Sequence, residues 1–106
     1  MIIWNLDENN FYQKVQELTE HTHYVYSITY HHDRSKLFTG SEDKSIIIWN
    51  FDEEGKKYKK SKILGGHTRG ISSLFYSPKT KTLFSGSGDK TIRVWEENED
   101  QDFEAV

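Results

Sequence analysis

The sequence predicts an all-β fold of four-stranded antiparallel sheets, and two observations support this. Only 34% of the 106 residues are hydrophobic, but they concentrate in aromatic and β-branched types, which suit half-buried sheet surfaces. In addition, residues 37–49 (LFTGSEDKSIIIW) recur 46 positions later as residues 83–95 (LFSGSGDKTIRVW). Each copy has two short apolar runs around a polar turn, the pattern of a β-hairpin.

The repeat extends beyond this stretch. An ungapped alignment of residues 21–50 with residues 67–96 gives twelve identities in thirty positions. A partial third copy opens the chain, because residues 2–7 match residues 47–52 at an offset of 45. A period near 45 is typical of the four-stranded blades of a β-propeller.

Each unit divides into short strands separated by turn residues. Residues 11–18 could form a short amphipathic helix, but their place in the repeat favours a strand. Residues 52–62, which are rich in charge, are expected to form a solvated loop leading into an outer strand. After the opening run, we predict strands at residues 11–18, 25–30, 37–41, 45–50, 58–64, 71–76, 83–87, 91–95 and 103–106.

We therefore predict three units. Residues 1–18 are the third and fourth strands of a preceding blade, residues 24–64 a complete blade, and residues 71–106 a second blade with a weak fourth strand. Residues 96–106 hold six acidic groups and no basic ones, and this tail sets the net charge of −3. Such a run is expected to be solvated.

Two and a half blades do not close a ring, since propellers have about 4–8 blades. Three arrangements follow: the chain is part of a longer protein, several copies assemble, or it stands alone as an open pair of blades.

The composition also indicates the cellular compartment of the protein. The chain has no cysteine, which excludes disulfides and thiolate metal sites. No apolar run approaches the ~20 residues that span a bilayer, and residues 1–10 lack the features of a secretory signal. We expect an intracellular protein, placed in the cytoplasm, with the nucleus or a cytoskeletal complex as alternatives.

Several motifs recur together at fixed spacing. Each unit has His followed by Trp after 27 residues, a Ser/Thr-Gly-Ser-x-Asp turn, and, in the second unit, the pair Gly66-His67. In these features the chain resembles the WD-repeat (WD40) family of β-propellers. The resemblance covers nearly the whole chain and implies an incomplete ring of about two to two and a half WD40-type blades.

The resemblance also implies one hydrogen-bonded tetrad per blade. Trp donates one indole N–H, Ser or Thr both accepts and donates, and His bridges to a turn Asp. By position, the tetrads are His21, Thr39, Asp43 and Trp49 in the first unit, and His67, Ser85, Asp89 and Trp95 in the second.

Four positions depart from the family pattern. Glu20 stands where Gly is expected before His, and the final Asp of the Trp-Asp pair is replaced by Asn5, Asn50 and Glu96. That Asp lies outside the tetrad, so the expected network is unaffected.

Two surfaces are candidates for binding a partner. The loops before the first strands form the narrower top face in this family, where peptides dock, and carry His23, Tyr24 and Arg69, with Glu42 in a turn at the same face. The alternative is nucleic-acid or acidic-surface binding through the basic segment 56–62, with Lys56, Lys57, Lys59 and Lys60 attracting phosphates.

Catalytic and metal sites are not expected. His21 belongs to the tetrad, and His31 and His32 lie at the far end of a strand from His23. The trios His21–Asp43–Ser41 and His67–Asp89–Ser85 occur in both units, as a structural device would. We therefore expect a non-enzymatic scaffold without cofactor or metal or membrane insertion, whose partners are other proteins and further blades.

Overall fold

The predicted all-β fold is confirmed by a computed structural model that describes residues 2–6 and 12–17 as backbone strands, and residues 21–31, 35–55, 57–98 and 103–105 in full. No helix in this part of the chain could cross a membrane. The ten strands are β1 (Ile2–Leu6), β2 (Tyr12–Glu17), β3 (Val25–Tyr30), β4 (Lys36–Ser41), β5 (Ile46–Asp52), β6 (Lys57–Leu64), β7 (Ile71–Ser77), β8 (Thr82–Ser87), β9 (Ile92–Glu97) and β10 (Phe103–Ala105).

These strands form three antiparallel sheets that do not close into a ring. Strands β1 and β2 pair as a two-stranded sheet. The first blade has the order β3-β4-β5-β6, and the second blade has the order β7-β8-β9-β10. Each strand therefore pairs with its neighbour in sequence, as expected for a meander joined by short turns.

Residues 12–17 form a strand, as their place in the repeat predicts. One detail of the expectation is wrong. The charged segment 52–62 is mostly strand as well, because β5 continues to Asp52 and β6 already begins at Lys57. Lys57, Lys59 and Lys60 are exposed to solvent on this outermost strand, so their charge does not oppose strand formation.

Burial rises toward the middle strands of the first blade. All six residues of β4 and the first four of β5 are buried, whereas β3 alternates between half-buried and exposed positions. Strand β6 is mostly exposed. The two central strands are therefore covered on both faces.

The two blades pack face to face through one apolar cluster. The ring of Phe38 lies 5.7 Å from that of Tyr76 and 5.2 Å from that of Phe103, measured between centroids. Aromatic pairs at such separations stabilise a core beyond their area burial. The cluster joins Phe38, Ile46, Ile48 and Leu64 of the first blade to Ile71, Tyr76, Leu83, Trp95 and Phe103 of the second.

A smaller cluster lies on the opposite face of the first blade. It contains Leu37, Ile47 and Trp49, which are at most 3% exposed, with Tyr58 packed beside them. Strand β2 of the two-stranded sheet lies next to β6 of the first blade.

Polar side chains also join the blades. The His31 imidazole lies 3.0 Å from the Glu97 carboxylate, which accepts a hydrogen bond from the Tyr76 hydroxyl at 2.9 Å. The Lys62 ammonium donates to the Phe103 carbonyl at 3.1 Å. His31 and Glu97 are almost fully buried, so each needs its partner in order to remain buried without a large desolvation penalty.

Close packing of the inner strands depends on Gly40. A Cβ at this position would lie 2.9 Å from Cβ of Ile71 and 2.8 Å from the Ser27 hydroxyl. The equivalent glycine of the second blade, Gly86, faces away from the interface, and its Cβ would meet only the Ser73 hydroxyl, at 2.7 Å. Gly40 therefore sets the distance between the blades.

We predict that Gly40→Ala lowers the free energy of unfolding by about 1–3 kcal/mol, the usual cost of overpacking a core. The added methyl group forces β7 away from β4, which also loosens the contact between Phe38 and Tyr76. Urea unfolding would measure the change. Gly86→Ala is the matched control and should cost less, because the Ser73 side chain can rotate. Equal losses in the two variants would contradict the role given to Gly40.

Candidate functional site

One hydrogen-bonded chain crosses the first blade from its third strand to the loop before its first. The Trp49 indole N–H donates to the Thr39 hydroxyl at 2.9 Å, and this hydroxyl lies 2.7 Å from Nε2 of His21. Nδ1 of His21 lies 2.8 Å from a carboxylate oxygen of Asp43. All four predicted tetrad residues of this blade thus contact one another in series.

The second blade repeats the same geometry. Trp95 donates to the Ser85 hydroxyl at 3.0 Å, this hydroxyl lies 2.9 Å from Nε2 of His67, and Nδ1 lies 2.8 Å from Asp89. With Ser in place of Thr, the order of the contacts is the same, and the distance from the hydroxyl to Nε2 of His differs by about 0.2 Å.

The donors and acceptors fit one protonation pattern. A neutral imidazole with its proton on Nδ1 donates to the carboxylate and accepts at Nε2 from the hydroxyl, which in turn accepts from the indole. The hydroxyl oxygens of Thr39 and Ser85 are fully buried. Because a buried polar network stabilises only when each member is satisfied, the series holds the three elements together.

The turn after the second strand is held by the same carboxylate. Asp43 accepts from the backbone N–H of Thr22 at 3.0 Å and of Ser45 at 2.9 Å, while its own N–H donates to the Ser41 hydroxyl at 3.1 Å. Lys44 adopts a left-handed φ of 73°. The second blade has the same bonds at Thr68, Thr91 and Ser87, and Lys90 has a φ of 70°.

These turn residues were not predicted as part of the site. The signal was present, since Ser-x-Asp-Lys-Ser/Thr occurs in both repeats at the same place. Its hydroxyl residues were assigned only to the ends of the strands on either side of the turn.

The tetrad carboxylates are held in the ionised form. Partial burial alone would raise the pKa of Asp43, but hydrogen bonds from the Ser45 hydroxyl, from His21 and from two backbone N–H groups outweigh it and lower the pKa to about 2. The pKa of Asp89 is also lowered, and the hydrogen bond from the Thr91 hydroxyl is the largest cause. Desolvation opposes this effect, but hydrogen bonds from His67 and from two backbone N–H groups add to it. Hydrogen bonding to the charged form is the dominant effect in both.

The central hydroxyl groups of these networks are buried and engaged in hydrogen bonds. Ser41 and Ser85 are fully buried, and the hydroxyl of Ser85 is engaged by both Trp95 and His67. Within the ranges that the structure describes, no three His, Cys, Asp or Glu side chains converge on a point that could hold a metal ion. His32 lies outside these ranges.

The first blade carries a polar and aromatic surface at the tetrad end. The His23 and Tyr24 rings meet edge to face at 4.9 Å, and both are exposed. The backbone N–H of Glu42 donates to the Tyr24 carbonyl at 2.9 Å. The structure thus brings together three of the predicted partner-binding residues.

Tyr26 belongs to the same surface but was not predicted. It is 55% exposed, and the nearby negative charge of Glu42, together with desolvation and a hydrogen bond to Glu42, raises the pKa of the Tyr26 phenol. The sequence analysis placed Tyr26 inside the strand at residues 25–30 and gave it no role at the surface. The alternation of β3 between its two faces was the signal that could have identified it.

Arg69 lies at the equivalent end of the second blade. Its carbonyl accepts from the Ser87 hydroxyl at 3.0 Å, and its side chain runs past Gly88. The adjacent Gly70 abuts Glu42, since a Cβ there would lie 2.9 Å from Cα of Glu42. The aromatic surface of the first blade and Arg69 are therefore neighbours.

The predicted basic residues lie elsewhere. Lys57, Lys59 and Lys60 are exposed on β6, at the opposite edge of the sheet from β3, and Lys56 lies outside the described residues. Lys59 makes an ion pair with Asp52 at 3.1 Å. Part of the positive charge is thus already compensated, and this segment does not extend the aromatic surface.

Comparison with known proteins agrees with the repeat. The family model "WD domain, G-beta repeat" matches residues 12–50 and 58–96. No curated protein matches the chain significantly. The segment 58–96 runs from β6, the last strand of the first blade, through β7, β8 and β9 of the second, and the segment 12–50 likewise runs from β2 through β3, β4 and β5. The sequence repeat is therefore offset from the sheets by one strand.

We predict that His67→Ala lowers the free energy of unfolding by about 2 kcal/mol or more, because it leaves Ser85 and Asp89 without their partner. Thermal or urea unfolding measures this. His23→Ala is the control, since His23 is exposed and its ring accepts only from the Tyr24 N–H; it should change stability by less than about 0.5 kcal/mol. Similar effects of the two substitutions would refute the tetrad role of His67.

We also predict a loss of stability in acid. Both tetrad carboxylates have a pKa below the ordinary 3.8, so the unfolded chain takes up protons first as the pH falls. Their contribution is complete above the unfolded pKa and decreases from about pH 4 towards pH 2 and below. Urea unfolding at a series of pH values should show a shallower decrease for Asp43→Asn than for the unaltered chain. An unchanged slope would contradict the lowered pKa of Asp43.

Proposed function

Because this chain belongs to the WD40 family, whose model matches well over half of it, we propose that it is a non-enzymatic scaffold that binds other proteins. WD40 domains generally mediate protein–protein interactions. The finer proposal is that binding occurs through the end of the blades where the tetrads lie.

The observation that carries this proposal is an exposed aromatic and acidic surface on a rigid support. Tyr24 and Tyr26 are 70% and 55% exposed, and the Glu42 carboxylate stands beside them. Tyr supplies a large contact area with little conformational entropy to lose, and is enriched among interface hot spots.

The support beneath this surface comes from the tetrad. Asp43 holds the backbone of Thr22, and the Glu42 N–H holds the carbonyl of Tyr24. The loop and the turn that carry the aromatic rings are therefore fixed to each other. A preorganised surface loses less entropy on binding and so binds more tightly.

The charge of the surface indicates the kind of partner. A cationic side chain can pair with the Glu42 carboxylate and stack on a Tyr ring, an arrangement worth about 0.5–2 kcal/mol. We propose that the partner segment carries Lys or Arg at this contact. The electrostatic alternative through the lysines of β6 gains no support, because Lys59 is paired with Asp52.

The proposal is tested by selecting peptides from a random displayed library on the immobilised chain and titrating the enriched peptides by fluorescence anisotropy. We predict that Tyr24→Ala weakens their binding at least about fivefold, as expected for a contact worth ~1 kcal/mol. Glu42→Gln should weaken the binding of peptides that contain Lys or Arg.

Lys57→Gln is the matched control and should leave affinity unchanged. Binding that resists Tyr24→Ala, but falls with Lys57→Gln and declines steeply between about 50 and 200 mM salt, would replace this proposal with the electrostatic one.

A further inference from the structure

One exposed histidine accepts a hydrogen bond from the backbone that carries the aromatic surface of the first blade. The Tyr24 backbone N–H donates to Nδ1 of His23 at 2.9 Å, and the two rings meet edge to face, with centroids 4.9 Å apart. An imidazole nitrogen accepts a hydrogen bond only while it carries no proton. The contact therefore requires a neutral His23 whose proton is on Nε2.

His23 differs in this respect from the other histidines that the structure describes. His21 and His67 each lie between a hydroxyl and a carboxylate of their tetrad, and His31 lies beside Glu97. A carboxylate pairs with the charged form of an imidazole as well as with the neutral form. The ring of His23 is exposed to solvent and bonds to a backbone donor instead, so protonation removes its hydrogen bond rather than strengthening it.

The ionisable groups around His23 come from its own loop, from β3, from the turn between β4 and β5, and from the second blade. They are His21, Tyr24, Tyr26, Glu42, Asp43 and Arg69. The Asp43 carboxylate is already engaged within the tetrad. The Glu42 carboxylate, in contrast, lies at the surface beside Tyr26. Glu42 is therefore the acidic group of this surface that a charged His23 would attract.

Protonation of His23 removes the acceptor that holds Tyr24. With a proton on each nitrogen, the ring has two donors and no acceptor, so two N–H groups would face each other at the observed 2.9 Å. The ring must turn away, and its edge-to-face contact with Tyr24 is lost as well. The Tyr24 N–H can then bond to water, because this end of the blade is exposed, and the Tyr24 ring is less firmly held.

The second blade shows where a cation at this position lies. Arg69 stands 46 residues after His23, and Gly88 is likewise equivalent to Glu42. The Arg69 side chain runs along this turn, since a Cβ at Gly88 would lie 3.6 Å from both Cβ and Cδ of Arg69. By the repeat, a charged ring at His23 can turn toward the β4–β5 turn in the same way and approach the Glu42 carboxylate.

The added charge acts against a cationic partner. The Lys or Arg of the partner is proposed to pair with Glu42 and to stack on a Tyr ring, and an imidazolium at His23 competes for that carboxylate and repels the incoming cation. The lost hydrogen bond to Tyr24 acts in the same direction, because a less ordered ring loses more entropy on binding. Both effects weaken binding as His23 takes up a proton.

On the basis of the function proposed above, we propose that His23 is a pH-sensitive switch of the surface formed by Tyr24, Tyr26 and Glu42. Histidine ordinarily changes its charge between about pH 5 and about pH 8. At the upper end of this range the neutral ring fixes Tyr24 and leaves Glu42 to the partner. At the lower end the ring releases Tyr24 and turns toward Glu42, and the affinity for a segment that carries Lys or Arg decreases.

The switch is tested first on the full chain without a partner, by NMR spectra of the backbone amides recorded from about pH 8 to about pH 5.5. The Tyr24 amide proton signal should move upfield as the His23 ring titrates, because this proton loses its acceptor. The Ser45 amide, which donates to Asp43, is the internal control and should stay fixed. In His23→Gln the Tyr24 signal should also stay fixed, because a Gln side chain offers an acceptor that does not titrate.

Affinity is then measured by fluorescence anisotropy with selected peptides that contain Lys or Arg but no His, Asp or Glu. From about pH 7.5 to about pH 5.5, binding to the unaltered chain should weaken at least about threefold, because the fraction of chains with a neutral His23 falls. His23→Gln should remove most of this dependence. His23→Lys carries a lasting charge and no acceptor, so it should bind weakly at both pH values.

Two outcomes would overturn the proposal. One is a Tyr24 amide signal that stays fixed while the His23 ring titrates. The other is an equal pH dependence of affinity in the unaltered chain and in His23→Gln, which would assign the effect to another group. Urea unfolding at both pH values verifies that each variant is folded. If no peptide is selected, the proposed function fails by itself, and the NMR titration still decides whether His23 controls Tyr24.

Discussion

The structure depends first on the hydrogen-bonded series from indole to hydroxyl to imidazole to carboxylate. In each blade it ties the third strand, the second strand and the loop before the first, and every polar atom in it has a partner. Most of the remaining core is ordinary apolar packing, which is tolerant of sequence change. The polar series is not, because removing one member leaves the others buried and unsatisfied. It also explains why residues that look catalytic in the sequence are occupied in holding the fold.

Much of the fold could be predicted because it recurs. The period of about 45 placed every strand within two residues, and the resemblance to the WD-repeat family implied both tetrads. What occurs only once could not be predicted. The buried group of His31, Tyr76 and Glu97 joins residues far apart in sequence, and the positions equivalent to His31 and Glu97 carry Ser77 and Phe51. No periodic argument could bring them together.

Exposure was the other property that the sequence did not reveal. Tyr30 and Tyr76 occupy the same place in the repeat, yet one is half exposed and the other is buried. A repeat unit buries part of its apolar surface only against a neighbour, so the environment of a residue depends on which units flank it. Gly40 and Gly86 differ in the same way, one against Ile71 and the other near a single hydroxyl.

The offset between repeat and sheet bears on how the molecule unfolds. The matched segments 12–50 and 58–96 each contribute one strand to one sheet and three to the next, so β6 belongs to the first blade but to the second repeat. A cut between the repeats separates β6 from the rest of the first blade, so losing the second repeat also removes a strand from the first blade. In a solenoid of self-contained units, unfolding can stop at a boundary between units. Here the boundary between the two repeats falls between β5 and β6, inside the sheet of the first blade. This arrangement favours cooperative, all-or-none unfolding of the two blades.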